Sequence, residues 1–229
     1  MNDRPSAAPG TGAPPPPPPV AQRVILVSGF APFQGGRTNP SLEVAAQCVR
    51  HLQGRGGGVA IPVQLEVLWD RDQETVSRLI GSARNAFPGA VVEWLAFGQG
   101  PAFTLETVAR NARRPLEDNA GCIPGTGATP LENEPGGPPQ CLTPAADNDR
   151  VRRIMTRHAV SLQCSTDAGA YLCESLLYTL LRHVGHGHLQ GARFFHLPSA
   201  ENLVPDSPEA QQLLAERERF VAAVIEVMG

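Results

Sequence analysis

Short apolar runs, the first and third of them ending at glycine, alternate along this chain with stretches whose apolar positions recur every three or four residues. The first run, "RVILVSGF" (23–30), is β-branched and predicts a buried strand. A helix follows over about 41–52, capped by Asn39 or Ser41, with Leu42, Ala45, Ala46 and Val49 on one face. "VAIPVQLEVLW" (59–69) predicts a second strand, and a helix over 71–86 carries Val76, Leu79, Ile80 and Ala83 as its stripe. "AVVEWLAFGQG" (90–100) is a third strand, with extended chain continuing over 103–111. A Pro- and Gly-rich excursion occupies 112–144. Beyond it the pattern predicts a helix (145–158), a strand (159–165), a helix (168–184), a strand (192–198) and an amphipathic helix (207–227).

Strands alternating with helices predict an α/β protein, a three-layer α/β/α sandwich on a mostly parallel sheet, phosphorylase/hydrolase-like. Residues 22–229 are expected to form one domain. Residues 1–21, dominated by Pro, Ala and Gly, are expected to be a disordered extension with polyproline II character. Ligands of such sheets collect beyond the carboxyl ends of the strands. Those ends carry "GF" (29–30), "GQG" (98–100), "ST" (165–166) and "HLP" (196–198).

Composition narrows the chemistry. All 19 basic residues are arginine, so Schiff-base, Walker-lysine and lysine-base mechanisms are excluded. A net charge of −3 without a basic stripe argues against nucleic acid. No run approaches the ~18 apolar residues of a membrane span, and the first residues lack the pattern of a secretory signal. A cytoplasmic protein is expected. Five scattered cysteines do not form a disulfide framework or a zinc spacing. His183, His186 and His188 in "RHVGHGH" read as solvated histidines rather than a metal site, and no cofactor or metal is expected.

Three residues carry candidate chemistry. Cys173, behind the "DAGAY" turn, is either a small buried hydrophobe or a thiol held where a helix dipole favours thiolate. Ser165, Thr166 and Asp167 are each competent caps for its helix. His196 ends an apolar strand, where a lone histidine is more often a satisfied core residue than a base. Glu106 is either a surface residue of a strand or the carboxylate that orients an imidazole.

In combination, "ILVSGFAPFQGGRTNPSLEVA" (25–45), "FGQG" (97–100), "TLETVARN" (104–111), "EDNAG" (117–121), "STDAGAYLCESLLY" (165–178) and "FFHLP" (194–198) resemble, in order, the pyroglutamyl peptidase I family. These cysteine peptidases remove N-terminal pyroglutamate. The resemblance implies Cys173 as nucleophile, His196 as base and Glu106 as its orienting carboxylate. It implies Phe30 and Phe33 as rings around the lactam and Gln99 as a nearby polar group. It also implies peptide substrates with N-terminal pyroglutamate and a homo-oligomer, dimer or tetramer.

Departures from the family pattern cluster near the site. The stretch between Gln99 and Glu106 is short, Thr107 replaces a basic residue and Arg110 an apolar one. Glu174 follows the nucleophile in place of a small polar residue, and its charge is expected to raise the thiol pKa. Two alternatives therefore stand beside the peptidase: a catalytically silent lactam-binding protein, and a thiol hydrolase for another N-capped or cyclic-amide substrate.

Overall fold

The computed structural model describes residues 22–33, 35–55, 58–69, 72–124, 138 and 140–229. The expected disordered extension (1–21) lies outside the described residues. Strand β1 (Arg23–Phe30) leads into helix α1 (Pro40–Leu52), strand β2 (Val59–Leu65) and helix α2 (Asp72–Ala86). Then come β3 (Val91–Gln99), β4 (Thr104–Glu106), β5 (Val108–Arg110), β6 (Gln140–Leu142) and helix α3 (Ala145–Arg157). Strand β7 (Gln163–Ser165), helix α4 (Leu172–Gly185), strand β8 (Gly191–Leu197) and helix α5 (Pro208–Met228) complete the fold.

Six strands form one sheet in the order β2-β1-β3-β8-β4-β7, parallel throughout except where β4 runs against β8. The alternation of side chains along each strand sorts the core into two layers. Val24, Leu26, Trp94, Ala96 and Phe194 face α2 and α4. Ile25, Val27, Leu95, Phe97, Leu105 and Phe195 face α1, α3 and α5. This is the expected three-layer α/β/α sandwich. Because β1 is flanked by β2 on one side and β3 on the other, the direction of winding reverses between β1 and β3, and a crevice opens beyond their carboxyl ends.

Four expectations need correction. The second strand stops at Leu65 rather than 69. The strand expected over 159–165 begins only at Gln163, because α3 ends in a left-handed turn at Ala159 (φ 54°) with Val160 N–H donating to Met155. The single extended stretch over 103–111 breaks at Thr107, which turns away to bond Ser165 O and sends β4 and β5 into different sheets. The excursion over 112–144 supplies β6, which pairs antiparallel with β5 through Ala109 opposite Cys141.

Candidate active site

Side-chain alternation delivers the site. On the α4 side of the sheet, the terminal residues are Phe30 of β1, Gly98 of β3 and His196 of β8, with Thr104 and Glu106 on β4. Gly98 is in register with His196 on the adjacent parallel strand. A Cβ on Gly98 would fall 2.9 Å from Cys173 Sγ and 3.0 Å from His196 Nε2. The missing side chain is the space in which thiol and imidazole meet.

Glu106, 1% exposed, accepts from His196 Nδ1 at 2.8 Å. Thr104, two residues back on the same strand face, donates its hydroxyl to the same carboxylate oxygen at 2.6 Å. Burial pulls the His196 pKa down, but the Cys173 sulfur and the Glu106 carboxylate outweigh it and push the value up to about 10. An imidazolium is therefore the form favoured beside this thiol at neutral pH.

Cys173 is the second residue of α4, which starts at Leu172 rather than at 168. The expected caps do not cap. Tyr171 is the N-cap and makes no side-chain capping bond. Asp167 instead accepts from Gly169 N–H at 3.0 Å, and Ser165 Oγ accepts from Asp167 N–H at 3.1 Å. Gly169 (φ 94°) and Ala170 (φ 52°) form a left-handed turn that swings the chain into the helix. The first turn of α4 thus starts without a side-chain cap on its N–H groups.

The Glu174 carboxylate is fully buried and accepts from the backbone N–H groups of Arg110 and of Ala170. Those donors and the Arg110 guanidinium favour the charged form, yet burial prevails and raises its pKa.

Beside Cys173, in the crevice between β1 and β3, lies a cavity of about 210 Å³. It is lined by Phe30, Phe33, Val67, Gln99, Tyr171 and Leu172, with Asn39 and the cysteine itself. All three residues expected to surround a ligand, Phe30, Phe33 and Gln99, are on its wall. Phe30 is anchored because its N–H donates to Ser41 Oγ (2.9 Å), while Asn39 caps α1 and ties Ala31 O through Nδ2 (3.0 Å). Gly29 makes this possible, since a Cβ there would lie 2.5 Å from the α1 backbone at Ser41 and Leu42.

Sequence reasoning missed Tyr171, whose ring sits edge-on to Trp69 (4.9 Å) and 5.5 Å from Phe33. Its hydroxyl donates to Glu117 O at 2.8 Å. Asp118 holds the loop beneath, accepting from the N–H groups of Trp69, Ala120 and Cys122. Those donors outweigh burial and keep its carboxyl below the usual range. The "EDNAG" segment is therefore a brace for the aromatic wall. An aromatic residue two positions before a candidate nucleophile was the available signal.

The profile of the family described as Pyroglutamyl peptidase matches residues 23–227. The chain belongs to this family. Its relatives include the pyrrolidone-carboxylate peptidase of Thermococcus kodakarensis, 28% identical over 194 residues that cover 83% of this chain and 88% of that one. The pyrrolidone-carboxylate peptidase of Gloeobacter violaceus is 28% identical over 89% of this chain and 96% of its own length. The crystal structure of pyroglutamyl peptidase I from Bacillus amyloliquefaciens superimposes with a TM-score of 0.67 at 22% identity, covering 91% and 96% of the two chains, and so shares the fold.

Elsewhere on this pyroglutamyl peptidase family member, His186 and His188 are exposed, as expected of solvated rings, and His183 Nδ1 lies 3.1 Å from His188 Nδ1 and its Nε2 3.1 Å from Ser77 Oγ. Among the described residues no helix is long and apolar enough to cross a membrane.

Gly98→Ala is the sharpest steric test of the site. The added methyl must displace the imidazole or the sulfur, and misplacing reacting groups by about 1 Å costs on the order of 100-fold. The expected result is a kcat/KM lower by about 10²- to 10³-fold with the fold retained by circular dichroism. Slower alkylation of Cys173 by iodoacetamide should accompany it. Near wild-type activity would mean that the pair does not meet over Gly98.

Proposed function

We propose that this member of the pyroglutamyl peptidase family removes N-terminal pyroglutamate from peptides by acyl transfer, with Cys173 as nucleophile, His196 as acid–base and Glu106 as the carboxylate that orients it. The observation that carries the reading is the uncharged cavity of about 210 Å³ against the thiol. It is smaller than the ~300–1,000 Å³ of drug-sized pockets and suits one small ring. With no carboxylate in its lining, a free N-terminal ammonium would lose its hydration without gaining a counter-ion. A neutral lactam loses much less, and Gln99 offers it an amide partner.

In the first half-reaction Cys173 Sγ, as thiolate, attacks the pyroglutamyl carbonyl carbon. The negative charge that develops on the carbonyl oxygen is held by backbone N–H groups at the start of α4. As the tetrahedral adduct collapses, the C–N bond breaks and the His196 imidazolium gives its proton to the departing amine. A thioester and a neutral imidazole remain. Water then yields a proton to His196 while its oxygen attacks the thioester, releasing pyroglutamate and restoring the thiolate–imidazolium pair. Glu106 keeps Nδ1 protonated and Nε2 toward the sulfur throughout. We also infer a cytoplasmic setting, in which five unpaired thiols persist, and assembly as a dimer or tetramer.

The test is a panel of coumarin amides of pyroglutamate, proline, glutamate and an N-acetylated amino acid under reducing conditions. Release from the pyroglutamyl amide is expected to exceed that from the prolyl amide by at least about 100-fold in kcat/KM, because the prolyl ring lacks the lactam carbonyl and brings a charged ring nitrogen into a cavity without a carboxylate. Turnover of another capped amide in its place would redirect the substrate. No turnover by the folded protein would favour the binding-only reading.

A further inference from the structure

We propose that Glu174 is a positioning residue that shapes the oxyanion site, acting through the turn ahead of the nucleophile. The proposal rests on the peptidase reading above. Glu174 is the third residue of α4, the place from which a glutamate ordinarily reaches back to the N-cap N–H in a capping box. Here it reaches one residue further, to Ala170 N–H at 3.3 Å, while its other oxygen takes Arg110 N–H.

The reciprocal half of a capping box is absent. A Ser, Thr, Asn or Asp at the N-cap would place an oxygen on the N–H of the second or third helical residue. Tyr171 cannot. The helix start is thus tied down by a side chain that leaves its own first-turn N–H groups open, and those are the donors an oxyanion needs.

Ala170 shows why a tie is needed. A non-glycine residue at φ 52° holds that conformation only where its surroundings over-determine it. Both of its peptide groups are clamped: the N–H by Glu174, and the C=O by Arg114 N–H at 2.7 Å. The Arg110 guanidinium lies 3.9 Å from Glu174 and 3.7 Å from Asp167, whose carboxylate holds Gly169 N–H. One cation therefore serves the two carboxylates that bind successive amides of the turn. The position of Cys173 and of the helix N–H groups behind it follows from the setting of this turn.

Glu174→Gln and Glu174→Ala would be compared with wild type in four measurements. The first two are kcat and KM on the pyroglutamyl coumarin amide, and inhibition by 5-oxoprolinal, whose aldehyde forms a tetrahedral adduct with the thiol. The others are inhibition by 2-pyrrolidone, which is the lactam alone, and hydrogen exchange of the amides of 169–174 without ligand. Glutamine keeps one acceptor oxygen and the side-chain volume, so kcat should fall about 10-fold, with a loss on the order of 100-fold for alanine. Aldehyde affinity should weaken by the same factor as kcat. KM and 2-pyrrolidone inhibition should stay within about twofold, since the lactam wall is untouched. Exchange at 169–171 should quicken in both variants.

Unchanged kcat in both variants, or a loss that falls on KM and 2-pyrrolidone instead, would overturn the proposal. So would unchanged exchange. If the wild type releases no coumarin while exchange quickens in the variants, the clamp stands and the substrate reading is what fails.

Discussion

Cys173→Ser should lower kcat/KM on the pyroglutamyl amide by about 10⁴-fold or more, and it should also change how His196 titrates. A serine hydroxyl beside an imidazole stays protonated at neutral pH, so the attacking anion is lost. The pairing partner goes with it. In the wild type the sulfur is the largest of the influences that raise the His196 pKa to about 10, against a burial that lowers it. A raised histidine pKa means that the charged, proton-donating form persists below that value and is lost as pH rises through it. The alkaline limb of the wild-type profile is therefore expected near pH 10, set by loss of the imidazolium. In the serine variant the same proton should leave at lower pH, which an NMR titration of the His196 ring can follow without any turnover. Substantial residual activity in the variant would remove Cys173 from the nucleophile's role. An unmoved His196 titration would mean that thiol and imidazole are not coupled.

The fold was legible where β1 and β3 are apolar runs that end beside glycine and where the helices carry apolar stripes of helical period. The places where reading failed are those where a tertiary partner outbids local preference. Thr107 looks like the middle of a strand, yet its bonds to Ser165 divide that strand between two sheets. Gln140 to Leu142 lie among prolines and glycines and become a strand only because β5 is there to pair with them. In the site, Cys173, His196 and Glu106 are each ambiguous alone, and only their common motif context separated them from core residues. Thr104 was within reach, since period-two alternation places it beside Glu106 on one strand face. Gly98 was not, because nothing local says that the missing Cβ is where two side chains meet. The partners of Glu174 were not legible either, because they come from β5 and from the preceding turn rather than from its own helix.

Glu106→Gln is expected to cost about 10³- to 10⁴-fold in kcat with little change in KM, although the side chain keeps its shape. The carboxylate accepts two bonds on one oxygen, from His196 Nδ1 at 2.8 Å and from the Thr104 hydroxyl at 2.6 Å. A glutamine must set either its oxygen or its NH₂ toward that shared position. With the NH₂ there, Nδ1 has to accept, the proton moves to Nε2, and the nitrogen facing Cys173 no longer takes up a proton. With the oxygen there, the tautomer survives, but the NH₂ occupies the place of Oε2, which is buried without a partner. Two N–H donors in that place are unsatisfied and buried, which disfavours the productive arrangement. In both arrangements the negative charge is gone, so the imidazolium is less stable and the alkaline limb moves to lower pH. The measurement is a pH profile of kcat from 6 to 10.5 for the variant beside the wild type. A loss of less than tenfold, with the alkaline limb unmoved, would show that Glu106 is a buried structural acceptor and that His196 is oriented by the sulfur alone.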